Sequence, residues 1–435
     1  MILPGLSLGL LAALSALYAF ARPAYMTVMT VMMHRPWVTP FFDLEYLLAS
    51  ATCWQQGIDV YAANPCDPLG RPMNYSPLLL RLRVLALDRA WALPLGLAVA
   101  VCYCLSLGFL VPTGRRRDWL IIGLAGTSSL AVLAVERGNI DVLIYLGSFV
   151  AGHALGGSAV GRLAGYAVLM TLGAVKFYPF AALVVILRER LALCIGLALA
   201  AAGLGAAFVL AFRDELLKVA ANLPPVVLFE DMIGVRMLPA GLGLTLRPLF
   251  GITGLGASHA FSLVVGLLLL ALVAGGVLAL ILNAPCRAAL ARLPPFERSA
   301  LFIGAALLTG CFFAGTSVGY RAIHLLLVLP ALLLLDQPAA AAPLKRLCRI
   351  TCVAICFILV RRTVLCVFDG FGATAQNSAL GAAAWIAYQL AWWWTITVLL
   401  GFLGCLMLDS RAVRDGTPRF IRRLAGRVAL GPRPR

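Results

Sequence analysis

Four ionisable side chains interrupt a strongly apolar sequence and have the chemical types needed to act on a phosphate-linked substrate: Asp43, Arg137, Lys176 and Arg321. A carboxylate can take a proton from a hydroxyl group, and fixed cations can hold a phosphate or diphosphate leaving group. Charged groups near a membrane are costly and often mark a site, although long basic side chains can instead extend to the membrane surface. One orientation of the chain places all four residues on the same side of a membrane, and this coincidence favours a shared site.

The composition identifies that setting as a membrane. Hydrophobic residues make up 62% of the 435 positions and charged residues 12%, whereas soluble domains usually carry about 25% charged residues. These proportions exclude soluble globular, disordered, coiled-coil and nucleic-acid-binding proteins. The excess of 35 Lys and Arg over 18 Asp and Glu is explained by membrane topology before any phosphate partner is invoked.

The sequence predicts an all-α polytopic membrane protein, a single integral domain over residues 1–435, with about twelve apolar stretches able to cross the bilayer. The fifth and sixth stretches are short and are separated by Lys176 and Pro179, which also fits a broken helix pair. The first stretch is alternatively a cleaved signal, although no basic residue precedes it. The stretches lie at approximately residues 5–21, 93–111, 118–134, 140–156, 162–175, 178–188, 191–212, 259–282, 299–315, 321–336, 349–365 and 382–408.

The distribution of arginine sets the orientation. With the N-terminus in the cytosol, short inside loops hold clusters such as Arg115–Arg117, and a basic tail at residues 409–435 is also inside, as the positive-inside rule requires. Two longer segments, residues 22–92 and 213–258, then lie outside. We therefore expect a bacterial inner-membrane protein whose site faces the periplasm.

The first external loop is too long for a plain connector, so we expect it to be functional. Residues 43–56 have a helical apolar stripe suited to an amphipathic helix along the membrane surface. Asp43 falls in the first turn of that helix, where a carboxylate is stabilised by the helix dipole, so a capping role is the alternative to catalysis. Gly57–Asn64 and Asn74–Pro77 are typical of turns.

Further polar residues of the external segments are candidates for binding the substrate. Trp54, Tyr61 and Tyr75 have rings that can stack on a sugar. Asp141 is a further charged residue, just after the polar Glu136–Asn139 segment. Such a pocket at membrane level would suit a lipid-linked sugar phosphate. The candidate substrate-binding residues are Glu45, Trp54, Asp59, Tyr61, Tyr75, Asn139, Tyr178, Tyr320 and His324.

Metal and nucleotide chemistry have little support in the sequence. The four histidines are widely scattered, and no phosphate-binding glycine loop of the GxxxxGK type occurs. The stripe of Cys348, Cys352 and Cys356 is typical of helix packing. Cys53 and Cys66 would face an oxidising space, where a disulfide could form. We expect no metal and no cofactor.

Asp43 is followed by Gly57 fourteen residues later, by Asp59 at sixteen and by Tyr61 at eighteen. This spacing resembles that of glycosyltransferase family 87, membrane enzymes of the GT-C type that include polyprenyl-phosphate-mannose-dependent α-mannosyltransferases of actinobacteria. Tyr75-Ser76-Pro77 is similar to the family's Tyr-Pro-Pro, with serine in place of the first proline.

The resemblance continues in order to residue 330. Gly138-Asn139, Lys176-Phe177-Tyr178-Pro179 and Arg188-Glu189-Arg190 are similar to the family's central block. Tyr320-Arg321, leading into Leu325–Pro330, resembles its late block, and His324 stands where the family usually has an apolar or aromatic residue.

The resemblance implies a GT-C fold and an inverting hexosyltransferase that needs no metal. Asp43 would deprotonate the acceptor hydroxyl, while Lys176 and Arg321 would hold the donor phosphate. Arg137 is a further candidate for holding that phosphate, because it falls on the same face. The donor would be a polyprenyl-phosphate sugar, with mannose or a related hexose or pentose, and the acceptor a lipid or glycan of the cell envelope. The alternative from another class is a secondary transporter or flippase, for which internal repeats and charges at mid-membrane would be expected.

Overall fold

The computed structural model describes residues 2–34, 36, 39–223, 226–245, 255–337 and 340–416. Within these residues the chain forms helices throughout, with one isolated β-bridge between Ile233 and Ser317. The basic tail beyond Gly416 and part of the predicted second external segment, residues 246–254, lie outside the described residues.

Twenty α-helices follow one another along the described part of the chain. The first ten are α1 Ile2–Phe20, α2 Arg22–Met33, α3 Phe42–Gln55, α4 Pro77–Leu80, α5 Ala92–Phe109, α6 Arg116–Gly126, α7 Ser129–Glu136, α8 Ile140–Leu155, α9 Ala159–Lys176 and α10 Leu191–Ala211. The others are α11 Arg213–Ala221, α12 Met237–Thr245, α13 Leu255–Leu282, α14 Ala284–Ala291, α15 Pro295–Ala314, α16 Leu329–Leu335, α17 Ala342–Leu359, α18 Arg361–Gly370, α19 Ala379–Leu408 and α20 Arg411–Gly416. Four 3₁₀ helices join them: Arg81–Leu85, Arg89–Trp91, Tyr178–Arg188 and Gly319–Leu327.

Six helical segments of the described residues are long and apolar enough to cross a membrane, which is consistent with the predicted polytopic protein. They are Ile2–Phe20, Arg89–Phe109, Leu191–Ala211, His259–Leu282, Pro295–Ala314 and Ala379–Leu408. The number is eight if the pairs α6–α7 and α17–α18, bent by 50° and 54°, each form one span. Each of the twelve predicted stretches coincides with one or two helices, but several of these are shorter or less apolar, so twelve crossings stays a prediction.

The helices divide into an inner and an outer set. α15 and α19 are mostly buried, and α15 packs against α8, α19 and the two longer 3₁₀ helices. α10 and α13 instead leave rows of leucines exposed, including Leu199 and Leu268. Exposed leucine rows suit helices that face lipid tails, because those tails are as apolar as leucine itself.

Breaks between helices bring the polar residues together at one end of the bundle. α9 ends at Lys176, Phe177 adopts a positive φ of 60°, and Tyr178 with Pro179 starts a 3₁₀ helix. The predicted break at Lys176 and Pro179 is therefore confirmed. Proline at the start of the new segment cannot continue the hydrogen-bond ladder of α9.

The predicted surface helix at residues 43–56 requires a correction. α3 does cover most of that range, but its residues 42–51 are all buried. The helix packs against α4, α5 and the 3₁₀ helices that follow α4, so the loop folds over it. A sequence stripe shows which face is apolar, whereas tertiary cover of the other face by a loop leaves no periodic pattern.

Candidate active site

Asp43 lies in the first turn of α3 with its side chain buried, 5% of the residue being exposed. Its Oδ1 accepts a hydrogen bond from Arg137 Nη2 at 2.9 Å, and its Oδ2 accepts one from Asn139 Nδ2 at 2.7 Å. The capping alternative is wrong, because the N-cap residue is Phe41 and no side chain caps the helix. The carboxylate points away from its own helix toward the turn between α7 and α8.

Gly138 allows that turn to approach α3. It has a positive φ of 59°, and a Cβ at this position would lie 2.9 Å from Leu44 Cβ. Such a conformation and such a close approach both favour glycine. The backbone amide of Asp43 also donates to Arg137 O at 2.8 Å, so backbone and side chain both fix Asp43 against this turn.

Asn139 connects Asp43 to a second carboxylate. Its Oδ1 caps α8 by accepting from the amide of Asp141 at 3.0 Å, and it also accepts from Lys176 Nζ at 3.3 Å. Lys176 Nζ donates to Asp141 Oδ2 at 2.8 Å. Asn139 therefore holds Asp43 with its amide nitrogen and caps the start of α8 with its oxygen.

The network ends at a buried histidine. Tyr178 donates to Asp141 Oδ1 at 2.7 Å, and the Tyr178 oxygen lies 2.5 Å from His324 Nε2. Because the single hydroxyl proton of Tyr178 goes to Asp141, Nε2–H of His324 donates to Tyr178. The Nδ1 atom of His324 is buried without a partner in the described residues.

Aromatic rings and Arg321 complete the arrangement. Arg321 lies over the Tyr178 ring, 4.8 Å from its centroid, and also donates to Ser317. Lys176 Nζ lies 5.1 Å from the ring centroid of Tyr75 and 5.4 Å from that of Tyr320. These contacts are within the range of favourable cation–π interactions. We call the connected set the Asp43 cluster: Asp43, Tyr75, Arg137, Asn139, Asp141, Lys176, Tyr178, Tyr320, Arg321 and His324.

Arg71 is a neighbour of the cluster that sequence reasoning does not single out. Its Nη1 lies 3.8 Å from Asp43 Oδ1, while Nε and Nη2 donate to Asp67 at 2.9 Å. Burial alone would raise the pKa of Asp67, but the hydrogen bonds from the side chain and backbone of Arg71 outweigh it and lower that pKa. The four-residue spacing of Asp67 and Arg71, beside a glycine and a proline, is the available signal.

Asp141 stands out in the sequence, but the sequence gives it no role. The structure gives it hydrogen bonds from Lys176 and Tyr178 and leaves its side chain fully buried. The available sequence signal is a charged residue in the first turn of an apolar helix, two residues after Asn139.

Glu45 and Asp59 lie apart from the cluster. Residues two apart on a helix point to nearly opposite sides, so Glu45 faces away from Asp43. There it forms an ion pair with Arg89. Asp59 pairs with Lys218 at 2.6 Å in an exposed position. The hydrogen bond from Lys218 lowers the pKa of Asp59.

Trp54 and Tyr61 pack on each other, with ring centroids 5.7 Å apart. They belong to a small hydrophobic core that the first loop forms with residues of α8 and α11, together with Cys53. Cys53 and Cys66 form a disulfide, which settles the pairing that the sequence leaves open. These residues organise the loop that covers α3, so their place is in the loop core and the predicted sugar-stacking role stays a prediction.

The described residues contain no group of three or more His, Cys, Asp or Glu side chains that could hold a metal ion. No family model, curated protein or solved structure matches the chain. A function for this protein therefore has to be inferred from the geometry of the Asp43 cluster and from the motifs of the sequence.

The cluster can bind an anion and move a proton. Three buried cations, Arg137, Lys176 and Arg321, surround two carboxylates, Asp43 and Asp141. Cations held in a partly dry site bind phosphate oxygens through charge-assisted hydrogen bonds. Both hydrogen-bond donors of Asp43, Arg137 and Asn139, come from one turn, so a movement of either donor would leave an oxygen able to accept a proton.

Proposed function

We propose that the protein is a GT-C type membrane glycosyltransferase with twelve crossings. It transfers a hexose or pentose such as mannose from a polyprenyl-phosphate donor to a lipid or glycan acceptor, on the periplasmic face of a bacterial inner membrane. The observation that carries this proposal is the buried Asp43 carboxylate beside Arg137, in one network with Lys176 and next to Arg321. The resemblance of the motifs in sequence supports the same activity.

The proposed reaction is a direct displacement. Asp43 takes the proton of the acceptor hydroxyl while the oxygen of that hydroxyl forms a bond to the sugar C1. The bond from C1 to the phosphate oxygen breaks, and the polyprenyl phosphate leaves with the electron pair. Lys176 and Arg321 stabilise the charge on the departing phosphate. Attack from the face opposite the leaving group inverts the configuration at C1.

Arg137 links donor binding to the base. In the structure it donates to Asp43 Oδ1, so its hydrogen bond occupies that oxygen. A donor phosphate that draws Arg137 away releases this oxygen when the substrate is in place. Catalytic contacts commonly tighten or rearrange only when substrate binds.

A transporter or flippase is the competing function. Charges that serve transport are usually found near the middle of the membrane, between repeats. The Asp43 cluster is built instead from helix ends: the start of α3, the turn before α8 and the end of α9. That placement favours a reaction at the membrane surface.

The direct test uses the purified full chain, radiolabelled polyprenyl-phosphate sugars and a lipid extract of bacterial cell envelope. We expect a new labelled glycolipid in the organic phase. Movement of labelled donor across vesicles containing the protein, with no new product, would assign the protein to transport instead.

Orientation needs its own test. Leu69→Cys and Arg115→Cys place thiols at exposed positions of the first external loop and the first arginine-rich loop. Cys53 and Cys66 can stay, because their disulfide does not react with maleimide. In intact spheroplasts, an impermeant maleimide should label the Leu69→Cys variant above the wild-type background and leave the Arg115→Cys variant at that background. The opposite pattern would place the site in the cytosol.

A further inference from the structure

A cavity of about 380 Å³ lies between α1, α2, α5 and the bent pair α6–α7. Apolar side chains such as Leu14, Leu97 and Val132 line most of it. Among the described lining residues, Glu136 is the only Asp, Glu, Lys or Arg. We call this cavity the Glu136 pocket. Its composition suits an amphiphile with a long apolar part and a small polar group.

Glu136 is incompletely paired. The residue is 8% exposed, and its Oε1 accepts from the Tyr25 hydroxyl at 3.0 Å. Its Oε2 is buried without a hydrogen-bond partner in the described residues. A buried polar oxygen without a partner is costly, and a ligand hydroxyl would satisfy it.

The inner end of the pocket adjoins Asp43. Phe41, which lines the pocket, donates from its backbone amide to Glu136 O at 2.6 Å. Two residues further on, the amide of Asp43 donates to Arg137 O at 2.8 Å. Two successive backbone hydrogen bonds thus join the segment that carries Asp43 to the segment that carries Glu136.

The pocket also opens to the exterior of the bundle. Leu10 on α1 and Leu93 on α5 both line it and are 40% and 53% exposed. A lipid can therefore enter sideways from the bilayer. Within the pocket, the carboxylate of Glu136 attracts a hydroxyl donor and repels a phosphate, whereas the cations of the Asp43 cluster do not line it.

We propose that the Glu136 pocket binds a neutral membrane lipid that carries a hydroxyl headgroup. Given the proposed function, on which this assignment rests, that lipid is the acceptor. One hydroxyl of its headgroup donates to Glu136, and a second hydroxyl of the same headgroup faces Asp43 and gives up its proton there. The anionic donor then occupies the Asp43 cluster separately. Two lipids of opposite headgroup chemistry would approach the site from different sides.

Binding of two probes with identical tails tests the pocket without any sugar donor. We expect the purified protein, followed by native mass spectrometry, to bind dioleoylglycerol at least about tenfold more tightly than dioleoylphosphatidate. Glu136→Leu should weaken dioleoylglycerol binding by about tenfold. Glu136→Gln keeps a hydrogen-bonding group but removes the charge, so it should retain dioleoylglycerol and narrow the preference over phosphatidate.

A pocket-filling variant supplies the matched control. Leu14→Trp should block both probes, whereas Ala16→Trp, on the exposed face of the same helix, should block neither. Preference of the wild type for phosphatidate or undecaprenyl phosphate would assign the pocket to an anionic lipid and overturn the proposal. So would wild-type binding in Leu14→Trp.

The outcomes also separate this proposal from the proposed function. If dioleoylglycerol binds as expected but no sugar is transferred to any lipid, the function fails and the pocket assignment stands. If sugar is transferred at wild-type rate by both Leu14→Trp and Glu136→Leu, the pocket assignment fails alone.

Discussion

Two buried carboxylates, at opposite ends of the bundle, are each held by two nitrogen donors, yet their surroundings differ. Asp336 accepts from Arg117 and from Arg349, the latter at 2.7 Å, and its side chain is 1% exposed. Its arginines are 43% and 59% exposed. Asp43 is held by Arg137, which is itself largely buried, and by Asn139. We call Arg117, Asp336 and Arg349 the Asp336 cluster.

The two carboxylates differ in the groups that surround each of them. The arginines of the Asp336 cluster are half exposed, so water screens their charge. The cluster joins α6 and α17 through the residue that follows α16. The Asp43 cluster contains further cations, Lys176 and Arg321, which lie against three tyrosine rings. A buried ion pair alone therefore indicates structure, whereas excess buried cations next to aromatic rings indicate a ligand.

The largest expected effect separates the two carboxylates. Asp43→Asn should slow sugar transfer by at least roughly 10²-fold, the usual scale for losing a general base, because an amide cannot take a proton near neutral pH. Asp43→Glu should recover little, since the carboxylate would move by about an ångström. Transfer rates are measured with saturating donor and acceptor.

Asp336→Asn is the matched control, because it also replaces a buried carboxylate held by two donors. We expect it to cost about 1–3 kcal/mol of stability, as charged hydrogen bonds do, while transfer per folded molecule stays near wild type. Near wild-type transfer in Asp43→Asn, or a loss in Asp336→Asn as large as in Asp43→Asn, would remove the distinction between the two ends.

A smaller effect is expected for donor binding. Arg321→Gln should raise the donor concentration needed for half-maximal transfer by about tenfold or more, because a charge-assisted contact to phosphate is lost. Arg349→Gln in the Asp336 cluster should leave that concentration unchanged. An unchanged donor dependence in Arg321→Gln would mean that its side chain only packs on Tyr178.

Lys176→Ala is a less specific test of donor binding than Arg321→Gln. Its ammonium group is the ion-pair partner of Asp141, whose side chain is fully buried. Removing the lysine strands a buried charge, which is strongly destabilising. Both donor dependence and melting temperature should therefore change in Lys176→Ala, and only the first in Arg321→Gln.

The disulfide of the first external loop should matter more for stability than for chemistry. Replacing Cys53 and Cys66 together by serine should destabilise the loop by about 3 kcal/mol, the loop-closure value for a ring of this size. Transfer at low temperature should fall by less than about threefold, since the disulfide joins two parts of the loop and holds none of the charged groups of the Asp43 cluster. Limited proteolysis between residues 56 and 76 reports the opening of the loop.

The sequence predicted the membrane setting, whereas the roles of the charged residues stay predictions. The apolar stretches and the break at Lys176 and Pro179 correspond to helices and to a helix break, because both are local in the chain. The predicted topology alone placed four charged residues on one side of the membrane: Asp43, Arg137, Lys176 and Arg321. Charge in a membrane is rare enough that its position is informative.

Contacts between distant segments could not be predicted in this way. Asp141 and Arg71 join the site through pairings that depend on how α8, α9 and the first loop meet. The burial of α3 and the assignment of Trp54 and Tyr61 to the loop core likewise depend on which segment covers which. Periodicity gives a helix its apolar face but does not identify the partner of a polar one.

The smallest expected effect concerns two carboxylates of the first loop in acid. The pKa values of Asp67 and Asp59 are both below their ordinary value. Each carboxylate therefore contributes stability that is present above about pH 4, the unfolded pKa, and is lost as the pH falls through the lower folded value.

Asp67→Asn should lower the melting temperature at pH 7 and lose this effect near pH 3. Asp59→Asn should change little at either pH, because Lys218 is exposed and solvent screens the pair. Equal effects of the two substitutions at pH 7 would show that Arg71 does not depend on Asp67 for its position beside Asp43.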